Sequence, residues 1–283
     1  MGSELPRAVA YPGVFALGCV VGSFLNVCIY RMPRDRSVVR PPSHCPQCGA
    51  RLRPADLVPL VSFLALGRKC RRCGGAITWR YFVVELLTGL VFVAVWEVLG
   101  GGVQVLPGWL FAAVVVAVVF VDLDHLIIPD QLVLAGVAAA VASEALLVAR
   151  GVPVLSVSVP GTGLALPRTV AGGVVGLGAF VLIRGLSQVL FRREGMGLGD
   201  VKLAGAIGAM LGPGLAGLSF GIAIAAGAVL GGMALALRLR RRMEYLPFGP
   251  FLAVSALAVL LAPVALGGAA RSLYRAWVGV LGG

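Results

Sequence analysis

Two kinds of side chain in this sequence come in patterns that chemistry needs: carboxylates at the ends of apolar runs, and cysteines in pairs. Asp122 follows the apolar run Val114–Val121, and Asp200 follows Gly195-Met196-Gly197-Leu198-Gly199 and opens another apolar run. Two carboxylates in a partly dehydrated setting cannot easily both ionise, so one holds a proton while the other takes one from water. That is the acid–base chemistry of an aspartic protease. Gly197 and Gly199 remove side-chain bulk before Asp200, which lets a substrate backbone approach in extended form.

The chain has 12 acidic residues, few enough to weigh individually. Glu4, Asp35, Asp56 and Glu244 lie in polar segments, and Glu97 and Glu144 lie near span ends, where they reach the headgroup region. Glu85, near the inner end of an apolar run, is harder to set aside, and Glu194 stands near the second carboxylate. Asp130 follows Pro129 at a helix start, where an acid complements the helix dipole. Asp122 and Asp124 point to different faces of a helix. Asp122 continues the buried run and is the stronger candidate, although spacing alone leaves Asp124 open.

Of six cysteines, four form two pairs, Cys45-Pro-Gln-Cys48 and Cys70-Arg-Arg-Cys73, separated by 21 residues. Each pair presents two thiolates to one tetrahedral ion, with Gly49 and Gly74 suited to the turns that follow, and this predicts a structural zinc site. Four thiolates leave no open coordination position for catalysis. Two disulfides are the alternative, which a reducing cytosol opposes. His44 is a substitute ligand of lesser standing, and Cys19 and Cys28 read as small packing residues.

The elements that position these groups are membrane helices. The hydrophobic fraction is 59%, charged residues make up 13%, and the mean hydropathy is +0.97. Those values exclude a soluble globular enzyme, a disordered chain and a secreted disulfide scaffold. Eight spans are expected, at roughly 10–30, 81–99, 105–121, 127–149, 169–190, 200–212, 214–237 and 249–267. The fold class is therefore an all-α, multi-pass membrane protein with a small metal-binding insert between the first two spans. Three domains follow: a first helix at 1–30, a Cys-rich segment at 31–80 and a helical peptidase region at 81–283.

The net charge of +12 has a location. Of 24 Lys and Arg, 18 fall in Arg31–Arg80, Arg192–Lys202 and Arg238–Arg242. Lys and Arg mark cytoplasmic loops, so these three segments and both carboxylates lie on the cytoplasmic side, and the 150–168 loop lies outside. The charge is read as topology, with no nucleic acid as partner. No secretory signal is read at the start, because Glu4 and Arg7 precede the first apolar run and a strongly basic flank follows it. Small residues such as Ala204, Gly205, Gly208 and Ala209 are expected to pack helices closely.

Six blocks in order resemble the bacterial type IV prepilin peptidases of the GxGD aspartic protease group. They are Gly22-Ser-Phe-Leu-Asn-Val-Cys-Ile-Tyr-Arg-Met-Pro33, the two cysteine pairs, Arg80-Tyr-Phe-Val-Val-Glu85-Leu-Leu, Asp122-Leu-Asp-His-Leu-Ile-Ile-Pro-Asp130, Gly195-Met-Gly-Leu-Gly-Asp-Val-Lys-Leu203 and Pro247-Phe-Gly-Pro-Phe-Leu-Ala253. The resemblance implies that Asp122 and Asp200 are the catalytic pair. It also implies cleavage of prepilin and pseudopilin leaders after a glycine, at the cytoplasmic face of the bacterial inner membrane. Methylation of the new N-terminus from S-adenosylmethionine follows. Relatives without the Cys-rich segment are peptidases alone, so its presence implies the bifunctional form. No Gly-rich nucleotide loop is found, and Asn26, Arg31, Asp56, Glu85 and Lys202 are candidates for methyl transfer only as polar residues at the same membrane edge. Competing readings are a general intramembrane protease, which would share the Asp pair without the zinc segment, and a non-enzymatic export scaffold or proton-coupled transporter.

Overall fold

A computed structural model describes residues 7–100, 102–151, 154, 156–158, 165–191, 196–237 and 247–265. Glu4, Glu194, Gly195, Glu244 and the basic run Arg238–Arg242 lie outside the described residues. The chain divides into two compact units, residues 1–97 and 98–283.

The first unit contains helix α1 (Arg7–Arg31), the cysteine segment with a short helix α2 (Val61–Ala65), and most of α3 (Trp79–Leu99). Helices α1 and α3 meet at glycines. A Cβ on Gly18 would lie 2.7 Å from the Gly89 Cα, and one on Gly22 would lie 2.7 Å from the Glu85 Cα. Only glycine allows backbones so close, which is how helices associate in lipid without a hydrophobic driving force. Cys19 and Cys28 are buried in this unit as small packing residues. Phe63 of α2 packs on Trp79 and Phe82, with ring centroids 5.3 Å away in each case.

The second unit contains α4 (Val105–His125), α5 (Asp130–Ala149), α6 (Arg168–Phe191), α7 (Leu198–Ala236) and α8 (Gly249–Ala265). Helix α4 is apolar on every side, and Phe111 through Val118 are all buried, so it forms the centre of this unit. Leu126 ends it in the left-handed region (φ 55°), its N–H bonding to the Asp122 carbonyl at 2.9 Å. Pro129 then starts α5. The expected span at 127–149 begins three residues late because Ile127-Ile128-Pro129 is extended connection.

Helix α7 contains two of the expected spans. Gly212, at φ 76° and ψ 168°, breaks it before Pro213. Its first half, 198–211, runs antiparallel to α6: a Cβ on Gly172 would meet the Gly208 carbonyl at 2.0 Å, and one on Gly176 would meet that of Ala204 at 2.2 Å. At the far end Arg168 Nη2 donates to the Leu211 carbonyl at 2.6 Å. A straight α7 would carry Phe220 roughly 30 Å from Phe180, at about 1.5 Å per residue along each helix. The two rings are instead 4.9 Å apart, so 213–236 runs back beside α6. Counted this way, eight apolar helical segments stand among the described residues where eight spans were expected. Among the same residues six helices, with α7 counted once, are long and apolar enough to cross a membrane, and α8 is shorter.

The small residues at 204–209 pack helices, as expected. Val170, Val174, Val181 and Leu182 of α6 are exposed, as lipid-facing side chains of a spanning helix must be. One departure from all-α is the connection between α5 and α6. Strands β1 (Ser156–Ser158) and β2 (Ala165–Pro167) pair antiparallel there, Val157 opposite Leu166. Their three-residue lengths leave no periodicity for sequence reading to detect.

Candidate functional site

The carboxylates occupy helix ends of the second unit. Asp122 lies in the last turn of α4 and is 5% exposed, whereas Asp200 lies in the first turn of α7 and is half-buried. Asp200 is near enough for its charge to reach the Asp122 carboxyl. Each has a glycine amide beside it: the backbone N–H of Gly249 at Asp122 and that of Gly197 at Asp200. The Oδ2 of Asp122 is buried, and no hydrogen bond within the described residues reaches it. A buried carboxylate oxygen left so is expensive, and a working site is one setting that tolerates it.

Other acids near the pair are differently placed. Asp124 is exposed. Asp130, at the start of α5, pairs with Lys202 Nζ at 2.7 Å, with both side chains largely exposed. Its position in the first turn after Pro129 matches the dipole-complementing role read from sequence.

Glycines set the spacing around the pair. A Cβ on Gly249 would lie 2.5 Å from Asp122 Oδ2 and 3.1 Å from Ile128 Cδ1, so nothing larger than glycine fits where α8 begins. A Cβ on Gly199 would press on the Ile128 Cβ at 3.0 Å, and one on Gly197 would stand 3.5 Å from Asp200 Oδ2. Gly199 thus seats the start of α7 against the α4–α5 connection, while Gly197 is exposed beside the Asp200 carboxyl. Gly249 and Ile128 were not singled out in the sequence. The available signal for Gly249 was a glycine between Phe248 and Pro250 at a helix start, which by itself reads as a turn.

The four cysteine sulfurs of the first unit lie within 4.8 Å of one another, and Cys45 Sγ and Cys73 Sγ are 3.9 Å apart. Ligands about 2.3 Å from a tetrahedral centre are separated by about 3.8 Å, so this cluster can hold one metal ion. Each pair sits on the same turn. The Cys45 N–H bonds to the Ala50 carbonyl and that of Gly49 to Cys45, both at 2.9 Å. The Cys70 N–H bonds to Gly75 at 2.8 Å and that of Gly74 to Cys70 at 2.9 Å. Gly49 and Gly74 take φ +67° and +70°, the left-handed conformation that the turn requires. Backbone N–H groups of Cys73 and Arg72 aimed at the Cys70 sulfur lower its thiol, whereas burial and the neighbouring sulfurs push that of Cys73 up. His44 Nδ1 bonds to the Pro42 carbonyl at 3.1 Å.

The polar candidates for a second chemistry separate. Asn26, Arg31, Asp56 and Glu85 line one cavity of the first unit. Lys202 belongs to the second unit and pairs with Asp130. Asp56 accepts from Arg71 Nε at 2.9 Å, and that hydrogen bond holds its carboxyl below the usual range.

Residues 16–98 match the family model described as bacterial peptidase A24 N-terminal domain, and residues 109–232 match that of the type IV leader peptidase family. A prepilin leader peptidase/N-methyltransferase of Myxococcus xanthus is 38% identical over 198 residues, which cover 70% of this chain and 55% of that one. A type 4 prepilin-like proteins leader peptide-processing enzyme of Escherichia coli is 35% identical over 271 residues, covering 86% and 90%. A prepilin leader peptidase/N-methyltransferase of Pseudomonas aeruginosa is 32% identical over 279 residues, covering 87% and 88%. No solved structure matches the chain.

Proposed function

The chain belongs to the type IV leader peptidase family, and we propose that it removes the leader of type IV prepilins and pseudopilins and then methylates the new N-terminus. Cleavage follows a glycine and takes place at the cytoplasmic face of the bacterial inner membrane. The observation that supports this reading is the buried Asp122 carboxyl, its Oδ2 without a hydrogen-bond partner among the described residues and held against Gly249, together with Asp200 in the first turn of α7 beside Gly197.

One carboxylate deprotonates a water that attacks the scissile carbonyl. The other, protonated, hydrogen-bonds the developing oxyanion and then helps protonate the amine that leaves. Asp200, at a helix N-terminus, is the better placed of the two to carry the negative charge. No covalent intermediate forms, so neither Ser nor Cys serves as nucleophile. Of the two glycines expected to border the substrate, exposed Gly197 forms the edge along which the extended backbone lies, while Gly199 is taken up by its packing on Ile128.

The second chemistry is assigned to the region around the cysteine segment, 31–80. S-adenosylmethionine, when bound, supplies an electrophilic methyl: the new N–C bond forms as the C–S bond breaks, a neutral thioether leaves, and the amine's proton passes to water. Zinc is the metal that suits four thiolates in a closed tetrahedral set, and its part is to fold the segment. Cys45, Cys48, Cys70 and Cys73 would hold it.

The competing readings have less support. A general intramembrane protease has no use for the cysteine segment. A scaffold or proton-coupled transporter uses membrane carboxylates but has no need of a glycine amide at each. Incubating the detergent-solubilised protein with a prepilin tests the proposal. A discrete cleavage after glycine is expected, with a methylated product on adding the donor, and Asp200→Asn should lose cleavage yet still methylate a pre-cleaved pilin. No cleavage by folded wild-type protein would support the scaffold.

A further inference from the structure

The crossing of α1 and α3 is tight at one end and open at the other. Gly18, Gly22, Asn26 and Tyr30 form one stripe of α1 at four-residue spacing. The first two press on the backbone of α3 at Gly89 and Glu85. Beyond them the helices part around a cavity of about 690 Å³, which the cysteine segment covers and which lies wholly within the first unit. That volume falls inside the roughly 300–1,000 Å³ of small-molecule sites.

Its lining holds buried polar side chains that a packing defect would lack. Asn26, Arg31 and Glu85 are all buried there. Arg31 is committed to the segment above it, donating to the carbonyls of Ser37 at 3.0 Å and Pro42 at 3.4 Å. Glu85 Oε2 accepts the Leu60 N–H at 2.8 Å. Asn26 Nδ2 donates to the Tyr81 carbonyl at 3.1 Å, and its Oδ1 is left buried without a partner among the described residues. A buried acceptor is costly unless a donor reaches it. Tyr30 and Tyr81 add rings, each with an arginine over one face, Arg34 at 4.5 Å and Arg80 at 5.8 Å, and exposed Arg53 and Arg72 stand at the rim.

We propose that this cavity binds the methyl donor, an adenosyl sulfonium amino acid; the proposal rests on the methyltransferase reading above. Such a molecule offers an aromatic base with N–H donors, two cationic centres and a carboxylate. Asn26 Oδ1 accepts from an N–H of the donor, the Glu85 carboxylate suits its cations, and the rim arginines suit its carboxylate. An anionic lipid headgroup would use the arginines alone and be repelled by Glu85.

Equilibrium binding of radiolabelled S-adenosylmethionine to the full chain in detergent tests this, with glycerol 3-phosphate as competitor. Asn26→Leu and Glu85→Gln are each expected to weaken binding about tenfold or more, at wild-type metal content and elution volume. Asn26→Ser replaces Asn26→Leu if the larger change prevents folding. Glycerol 3-phosphate is expected not to compete, and displacement by it would overturn the proposal in favour of a headgroup. Wild-type binding that neither substitution weakens would overturn the site and leave the methyltransferase reading standing. A wild type that cleaves prepilin but binds no donor would overturn both.

Discussion

The cysteine cluster and the carboxylate pair are built in opposite ways. Each cysteine pair sits on a knuckle closed by its own backbone, with a positive-φ glycine and hydrogen bonds spanning at most five residues. Only the meeting of the two knuckles is long-range. The carboxylates owe their position to three helix ends, those of α4, α7 and α8, and the contacts at each end are set by glycines or by Ile128. A knuckle keeps its shape when a distant helix shifts. A pair held by helix ends inherits any error in how those helices pack, because interiors transmit strain.

Substitution at Gly249 exposes that dependence. Gly249→Val puts carbon where only about 2.5 Å separates the backbone's Cβ position from Asp122 Oδ2. The carboxyl must move by about 1 Å, and cleavage is expected to fall about a hundredfold, while metal analysis still finds the wild-type content. Unimpaired cleavage would mean that α8 does not constrain the pair. The converse break is Cys45→Ser with Cys70→Ser. About one metal per chain should drop to almost none, the unfolding midpoint should fall, and methyl transfer should be lost with it. Metal retained by the double variant would remove these sulfurs as ligands.

A smaller effect sharpens the local side of the comparison. Asp56 ties its turn to Arg71 beside the second knuckle, with a carboxyl held below the usual range by that hydrogen bond. A depressed folded-state value means that the contact stabilises above the unfolded value, about 3.9, and is lost as pH falls through the folded one. Asp56→Asn should therefore lower the melting temperature by a small margin that is constant from about pH 8 to 5. The margin should close below about pH 4. A margin that disappears near neutrality instead would contradict this pairing.

What could be read from the residues follows the same division. The cysteine cluster was legible because spacing and turn glycines are local properties, and the structure brings the four sulfurs together. The apolar segments were legible because lipid demands length and composition, down to the break at Gly212 before Pro213. Gly249 was not, since nothing at its own position says that Asp122 lies against it. Asn26, Arg31, Asp56 and Glu85 could be named as polar residues near one membrane edge, but their convergence on one cavity depends on how α1 crosses α3. Lys202 met the same description and belongs elsewhere. The β1–β2 pair escaped because three residues carry no period.

The most direct test is the rate of prepilin cleavage by single asparagine substitutions at four positions. Asn keeps the shape of the side chain and cannot exchange a proton, so Asp122→Asn and Asp200→Asn should each lose cleavage by about a thousandfold or more. The double variant should be little worse than either, because the two act as a unit. Asp124→Asn and Asp130→Asn should keep substantial activity. Near wild-type cleavage by Asp122→Asn, with Asp124→Asn inactive, would put the first carboxylate at the wrong residue, and full activity in both Asp122→Asn and Asp124→Asn would contradict the carboxylate pair itself.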